Sequence, residues 1–181
     1  SEVDKLEEDL RRIIKEIRRL VEEVKRKSEE IDRELKRLLE EAERTLEEID
    51  RKLEDELRKK GNDEDVRREL KEIVERSETL VREVLKTLRE VARRSEELNK
   101  DVHRRLKELV EEVRKRLEDL PEDDKVREVK KDVEKKLKEL EEELRDITRR
   151  NRESLKRLEE RLKEVAKKNR KTVDELRKEL D

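Results

Sequence analysis

Apolar residues recur along this chain at three- and four-residue intervals and gather into three long stripes. The first runs Val3, Leu6, Leu10, Ile13, Ile14, Ile17, Leu20, Val21 and Val24, then on through Ile31, Leu35, Leu39, Ala42, Leu46 and Leu53 to Leu57. The second runs from Val66 through Val84, Leu88, Leu106 and Val113 to Leu117, and the third from Val126 through Leu144 and Leu162 to Leu180. This spacing marks one face of an amphipathic α-helix. The stripes predict helices over about 2–60, 63–119 and 122–180. Ser1, with Asp4 three residues on, has the form of a capping box. Gly61 supplies a left-handed helix end, and Asn62 or Asp63 the next N-cap. Pro121 fits only a first turn, so it ends the second helix or begins the third.

The period is 18 residues. Steps of 18 from Val3 land on Val21, Leu39 and Leu57, and from Val126 on Leu144, Leu162 and Leu180, whereas steps of seven from Val66 soon reach Thr87, Arg94 and Asp101. Eighteen residues make five turns of a straight helix, while a heptad imposes left-handed supercoil. The two breaks are only a few residues long, so consecutive helices are antiparallel neighbours. The expectation is an all-α fold: an antiparallel up-down-up three-helix bundle of long, nearly straight helices, forming one domain over 1–181. Nothing else in the chain can cover the stripes, so they pack on each other or on another chain.

Helices of equal length place residue i of the first beside 123 − i of the second and i + 123 of the third. Ser28, Ser95 and Asn151 then share one layer, with Asn99 and Thr148 close by. One repeat along, Leu46 meets Ser77 and Asn169, with Thr45 adjacent; one repeat the other way, Leu10, Val113 and Val133 form an apolar layer. The expected structural polar layers are therefore Ser28, Ser95, Asn151 and Asn99, and Thr45, Ser77 and Asn169. Ser154 and Thr172, themselves 18 apart, flank Asn151 and Asn169. A polar binding site inside the bundle is one reading. The favoured reading is structural, because a buried Asn left against Leu in a slipped register loses its partner, at about 1–3 kcal/mol per group.

His103 is the only histidine and sits at the edge of the second stripe. With no second His and no Cys it lacks metal partners, and no nucleophile stands near it in the pattern. A boundary hydrogen bond, with Asn99 one turn away as the expected partner, is the favoured role. Acidic runs such as Glu141–Glu142–Glu143 read as a solvated face, since nothing apolar surrounds them to shift their ionisation. No catalytic, cofactor-binding or metal-binding residue is expected, and the chain is not expected to be an enzyme.

Composition sharpens this picture. Charged residues make up 62% of the 181 positions and apolar residues 29%, with no Phe, Tyr, Trp, Met or Cys. High charge with low hydrophobicity can signal disorder, but here the apolar residues are periodic. The formal net charge is −2. Segments 1–60, 61–121 and 122–181 carry −3, −1 and +2 (18 basic against 21 acidic, 16 against 17, 21 against 19). No segment is a polycation, so neither nucleic acid nor an anionic membrane is an expected partner. One glycine rules out a Gly-rich phosphate loop, and without aromatics there is no base-stacking platform. There is no signal-peptide pattern at the N-terminus, and a soluble protein is expected.

The 18-residue repeat, equal helices, minimal loops, aromatic-free Leu/Ile/Val core, Glu/Lys/Arg surface and Ser/Asn/Thr layers together resemble de novo designed, parametrically generated helical bundles with buried hydrogen-bond networks. Natural three-helix repeats such as spectrin are similar in topology but carry aromatics and shorter helices. The resemblance to designed bundles covers the whole chain and implies high stability, no native substrate and use as a scaffold. The expected partners are none of nucleic acid, membrane or small molecule, and the expected state is a monomer. The alternative is an interaction module that takes a partner helix or a second copy into the bundle core, an idea supported by the stripe-widening doublets Leu38–Leu39, Val84–Leu85 and Leu109–Val110.

Overall fold

The structure, a computed structural model, describes residues 2–60 and 64–180, with the backbone alone at 56, 57, 59, 60, 66, 176, 179 and 180. It contains three α-helices: α1 (Glu2–Lys60), α2 (Glu64–Glu118) and α3 (Asp124–Leu180). The expected caps at Ser1, Gly61, Asn62 and Asp63 lie outside the described residues. The second connection is fully visible. The backbone of α2 closes through Asp119 N to Lys115 O and Leu120 N to Leu117 O, both 3.3 Å. Proline at 121 cannot continue that ladder. Asp123 Oδ1 then accepts from Val126 N at 2.8 Å, an N-cap that satisfies one of the orphan donors of the new helix. The third helix therefore starts at Asp124, two residues later than expected, because Asp123 acts as its cap and not as a member of its first turn.

The chain divides into two compact units, the boundary falling inside each helix. Unit 1 comprises the chain up to Glu30 together with Arg93–Arg152. Within it Asp9 pairs with Arg116 at 3.5 Å and Glu16 with Arg105 at 3.3 Å, so α1 and α2 run antiparallel. Asn151 meets Ser28 at a sequence offset of 123, the expected value, and α3 runs parallel to α1. The core is one cluster that includes Leu10, Ile17, Val21, Val113, Val126, Val133, Leu137 and Leu144. Burying each Leu or Val removes it from water for roughly 1.5–3 kcal/mol. The expected apolar layer of Leu10, Val113 and Val133 lies inside this cluster, and all three side chains are buried.

Unit 2 comprises Ile31–Ala92 and the chain from Glu153 onward. Its apolar core is split. One cluster holds Leu35, Leu39, Ala42, Val84, Leu88, Leu158 and Leu162; the other holds Leu53, Leu70, Val74 and Val173. Leu46, Ser77 and Asn169 are buried and belong to neither cluster, and in each helix the residue lies between members of the two. Two of these three side chains are short and polar, so the apolar contact network is interrupted at their level.

Candidate functional site

Among the described residues, the polar side chains of the core depart from an otherwise apolar interior. In unit 1, Asn151 Nδ2 donates to Ser28 Oγ at 2.7 Å. Ser28 and Ser95 are buried and Asn151 half-buried. All three fall within two residues of the limits of unit 1. In unit 2 the pairing differs from expectation. Asn169 Nδ2 donates to Asp50 Oδ1 at 3.0 Å, at an offset of 119, and not toward Ser77. Ser77, fully buried, satisfies itself by donating to Val74 O at 2.8 Å on its own helix. Thr45 is exposed and bonds back to Glu41 O at 2.9 Å, so it takes no part in the layer. Thr172 likewise bonds to Lys168 O at 3.1 Å. A hydroxyl that can return to its own helix needs no cross-helix partner; the amides of Asn151 and Asn169 cannot do so as easily, and each finds one.

Two aspartates complete the network and were not singled out from the sequence. Ser154 Oγ donates to Asp32 Oδ1, and Asp32 also holds Lys36 at 2.9 Å. Asp32 and Asp50 lie 18 residues apart, in the slot that Ile14 fills one repeat earlier. The signal was therefore present: an acid twice occupying an apolar slot. Burial pushes the Asp32 carboxyl up, but the hydrogen bonds from Ser154 and Lys36 and the Lys36 charge outweigh it and hold it below the usual Asp range. At Asp50 burial wins, aided by Glu54 and Glu47 and opposed by Asn169 and Lys168, and its carboxyl sits above the usual range.

On the α2–α3 side of unit 1, His103 bonds to Thr148 and not to Asn99, with Nε2 3.2 Å from Oγ1. Thr148 gives its single hydroxyl hydrogen to Leu144 O at 2.9 Å. Burial, then Arg152 and Arg145, keep His103 less basic than a free imidazole. Asn99 is 5% exposed, and its Oδ1 has no partner. An orphaned acceptor of this kind costs about 1–3 kcal/mol. In unit 2, Arg161 grips Glu43 through two of its three guanidinium nitrogens, Nη2 to Oε2 at 3.0 Å and Nε to Oε1 at 2.7 Å. The second is an ionic contact without hydrogen-bond alignment, since Glu43 Oε1 lacks an aligned donor.

None of these groups converges on a reacting position. The polar pairs are hydrogen-bonded to one another across the helices. Among the described residues no group of three or more His, Cys, Asp or Glu is placed to hold a metal ion, and no helix is long and apolar enough to cross a membrane. A groove of about 270 Å³ in unit 1 borders His103, Leu106, Val110, Glu111, Glu141 and Arg145, among others, so apolar side chains and charged stems both line it.

Elements and core together define an all-α three-helix bundle with hydrogen-bonded polar pairs in its interior. The fold is similar to that of a computationally designed three helix bundle, with a TM-score of 0.71 at 20% sequence identity, covering 99% of this chain and 93% of that one. No family model matches the chain, and no curated protein matches it.

Proposed function

We propose that this chain is a designed structural scaffold without native biochemical activity, whose core polar residues hold the three helices in one register. The observation that carries the reading is the pairing of the polar core side chains with one another: Asn151 with Ser28, Ser154 with Asp32, and Asn169 with Asp50. Groups engaged in this way are spent on helix-to-helix contacts and do not converge on a substrate. The likeness in fold to a computationally designed bundle supports the same reading.

A second reading is an interaction module that accepts a further helix or a second copy. It draws on the half-buried Leu38, Leu80, Leu85, Val91 and Leu155 around one core cluster of unit 2. Against it, no large hydrophobic side chain is exposed among the described residues, and docking surfaces on soluble proteins are contiguous apolar patches. Light scattering separates the two. A single species near 22.3 kDa supports the scaffold, and an integer multiple of that mass supports the module.

A further inference from the structure

The core of unit 2 is interrupted. One apolar cluster is built around Leu39, Val84 and Leu158, and another holds Leu53, Leu70, Val74 and Val173. Between them lie Leu46, Ser77 and Asn169, all buried. Both polar side chains of this layer make their bonds on the side of the Leu53 cluster. Ser77 donates to the carbonyl of Val74, a member of that cluster. Asn169 donates to Asp50, which follows Ile49, a residue packed against the same cluster. Neither bond reaches the Leu39 cluster, where Arg161 and Glu43 tie α3 to α1 separately. In unit 1 the same slots, two repeats away, hold Leu10, Val113 and Val133, and the core runs through them as one cluster. Where packing is continuous, opening one layer strips the next; where it is interrupted, an opening can stop at the break.

We propose that the part of unit 2 from the Leu46–Ser77–Asn169 layer outward opens as a unit of its own, the three helix segments that carry the Leu53 cluster unfolding together while the Leu39 cluster stays packed. The layer is the edge of this opening, because its hydrogen bonds go with the outer segment. The opening uncovers Leu53, Leu70, Val74 and Val173 together, side chains that the closed bundle keeps from solvent. Glu78 and Arg177 pair across α2 and α3 near the layer at 3.7 Å. Both side chains are about half exposed, so the pair does little to hold the segment shut.

The test is amide exchange of the parent, followed by NMR at urea concentrations below the unfolding transition. Amides of 51–55, 68–74 and 171–175 should share one opening, its protection at least about a hundredfold below that of amides around Leu39, Val84 and Leu158, whose exposure strips a second buried cluster as well. That opening should also depend less steeply on urea, since it exposes less surface. Val84→Ala removes about two buried methylene equivalents and should speed exchange around Leu39 by about tenfold. It should leave the outer amides unchanged, because the Leu39 cluster is intact both before and after the outer segment opens. Protection that declines residue by residue toward the helix ends, with no shared opening, overturns the proposal in favour of simple fraying. Exchange of both sets through one global event also overturns it, and Val84→Ala would then accelerate both alike.

Discussion

Asn169 reaches Asp50 across the α1–α3 interface of unit 2, with Nδ2 3.0 Å from Oδ1, although its counterpart 18 residues earlier, Asn151, bonds to Ser28. The difference follows from one residue. The repeat places Leu46 where Ser28 stood, and leucine offers no acceptor. Asp50 lies on the same helix face as Leu46, one turn on, and it supplies one.

The two aspartates of this slot should titrate on opposite sides of the ordinary Asp value. Asp32 is held below the ordinary Asp value by its donors, so its stabilising effect is present above an unfolded value near 3.8 and is lost as pH falls through the lower folded value. Asp50 is raised, chiefly by burial, so its effect has the reverse sign: stability present at low pH is lost as pH rises from about 3.8 through the folded value. Carboxyl carbon shifts followed by NMR between pH 2 and 7 should place Asp32 below Asp50. The opposite order would show that the Ser154 and Lys36 contacts do not persist in solution.

Substitution should reveal the same asymmetry. At pH 7, Asp50→Asn keeps a side chain that can accept from Asn169 and removes a carboxylate that is disfavoured there, so stability should hold or rise. Asp32→Asn weakens the hydrogen bond from Ser154 and removes the ion pair with Lys36, so stability should fall. Exposed ion pairs contribute only about 0–1 kcal/mol, so the loss should be small. Urea midpoints of the two variants and the parent provide the comparison.

Core truncation tests the apolar side of the account. Leu39 and Leu144 are fully buried in units 2 and 1. Replacing either by Ala should cost about 2–5 kcal/mol, the usual range for a buried leucine. Thr45→Ala, at an exposed site whose only bond is to its own helix, should change stability by less than about 0.5 kcal/mol. A Thr45 effect as large as that of Leu39 would mean that Thr45 does join the polar layer.

Much of this arrangement was legible in the sequence. The 18-residue period named the core residues, and equal helices placed Asn151 beside Ser28. Register also placed Leu46, Ser77 and Asn169 at one level of the interior, and all three are buried; that the apolar core is split there was not foreseen. The hydrogen-bond partners were harder to read, for a physical reason. Register fixes which backbone positions are level, but a side chain chooses among acceptors a full turn apart. Ser77 and Thr45 turned back to their own helices, and Asn169 reached forward to Asp50. His103 took Thr148 across the interface, leaving Asn99 Oδ1 without a partner. Asp32 and Asp50 were overlooked because charged residues fill most of the surface, where an acid in an apolar slot is hard to notice.

On the scaffold reading, the Asn pairs select one arrangement of helices more than they stabilise it. Exchanging buried polar groups for well-packed apolar ones is often neutral or stabilising, while uniqueness suffers. The decisive measurement is light scattering on the double variant Asn151→Leu/Asn169→Leu beside the parent. The parent should elute as a single species near 22.3 kDa, and the variant should remain helical but distribute over more than one mass. A variant that elutes as one species at the parent mass, with an unfolding transition as sharp as the parent's, would contradict the claim, because helix length and connections alone would then be fixing the register.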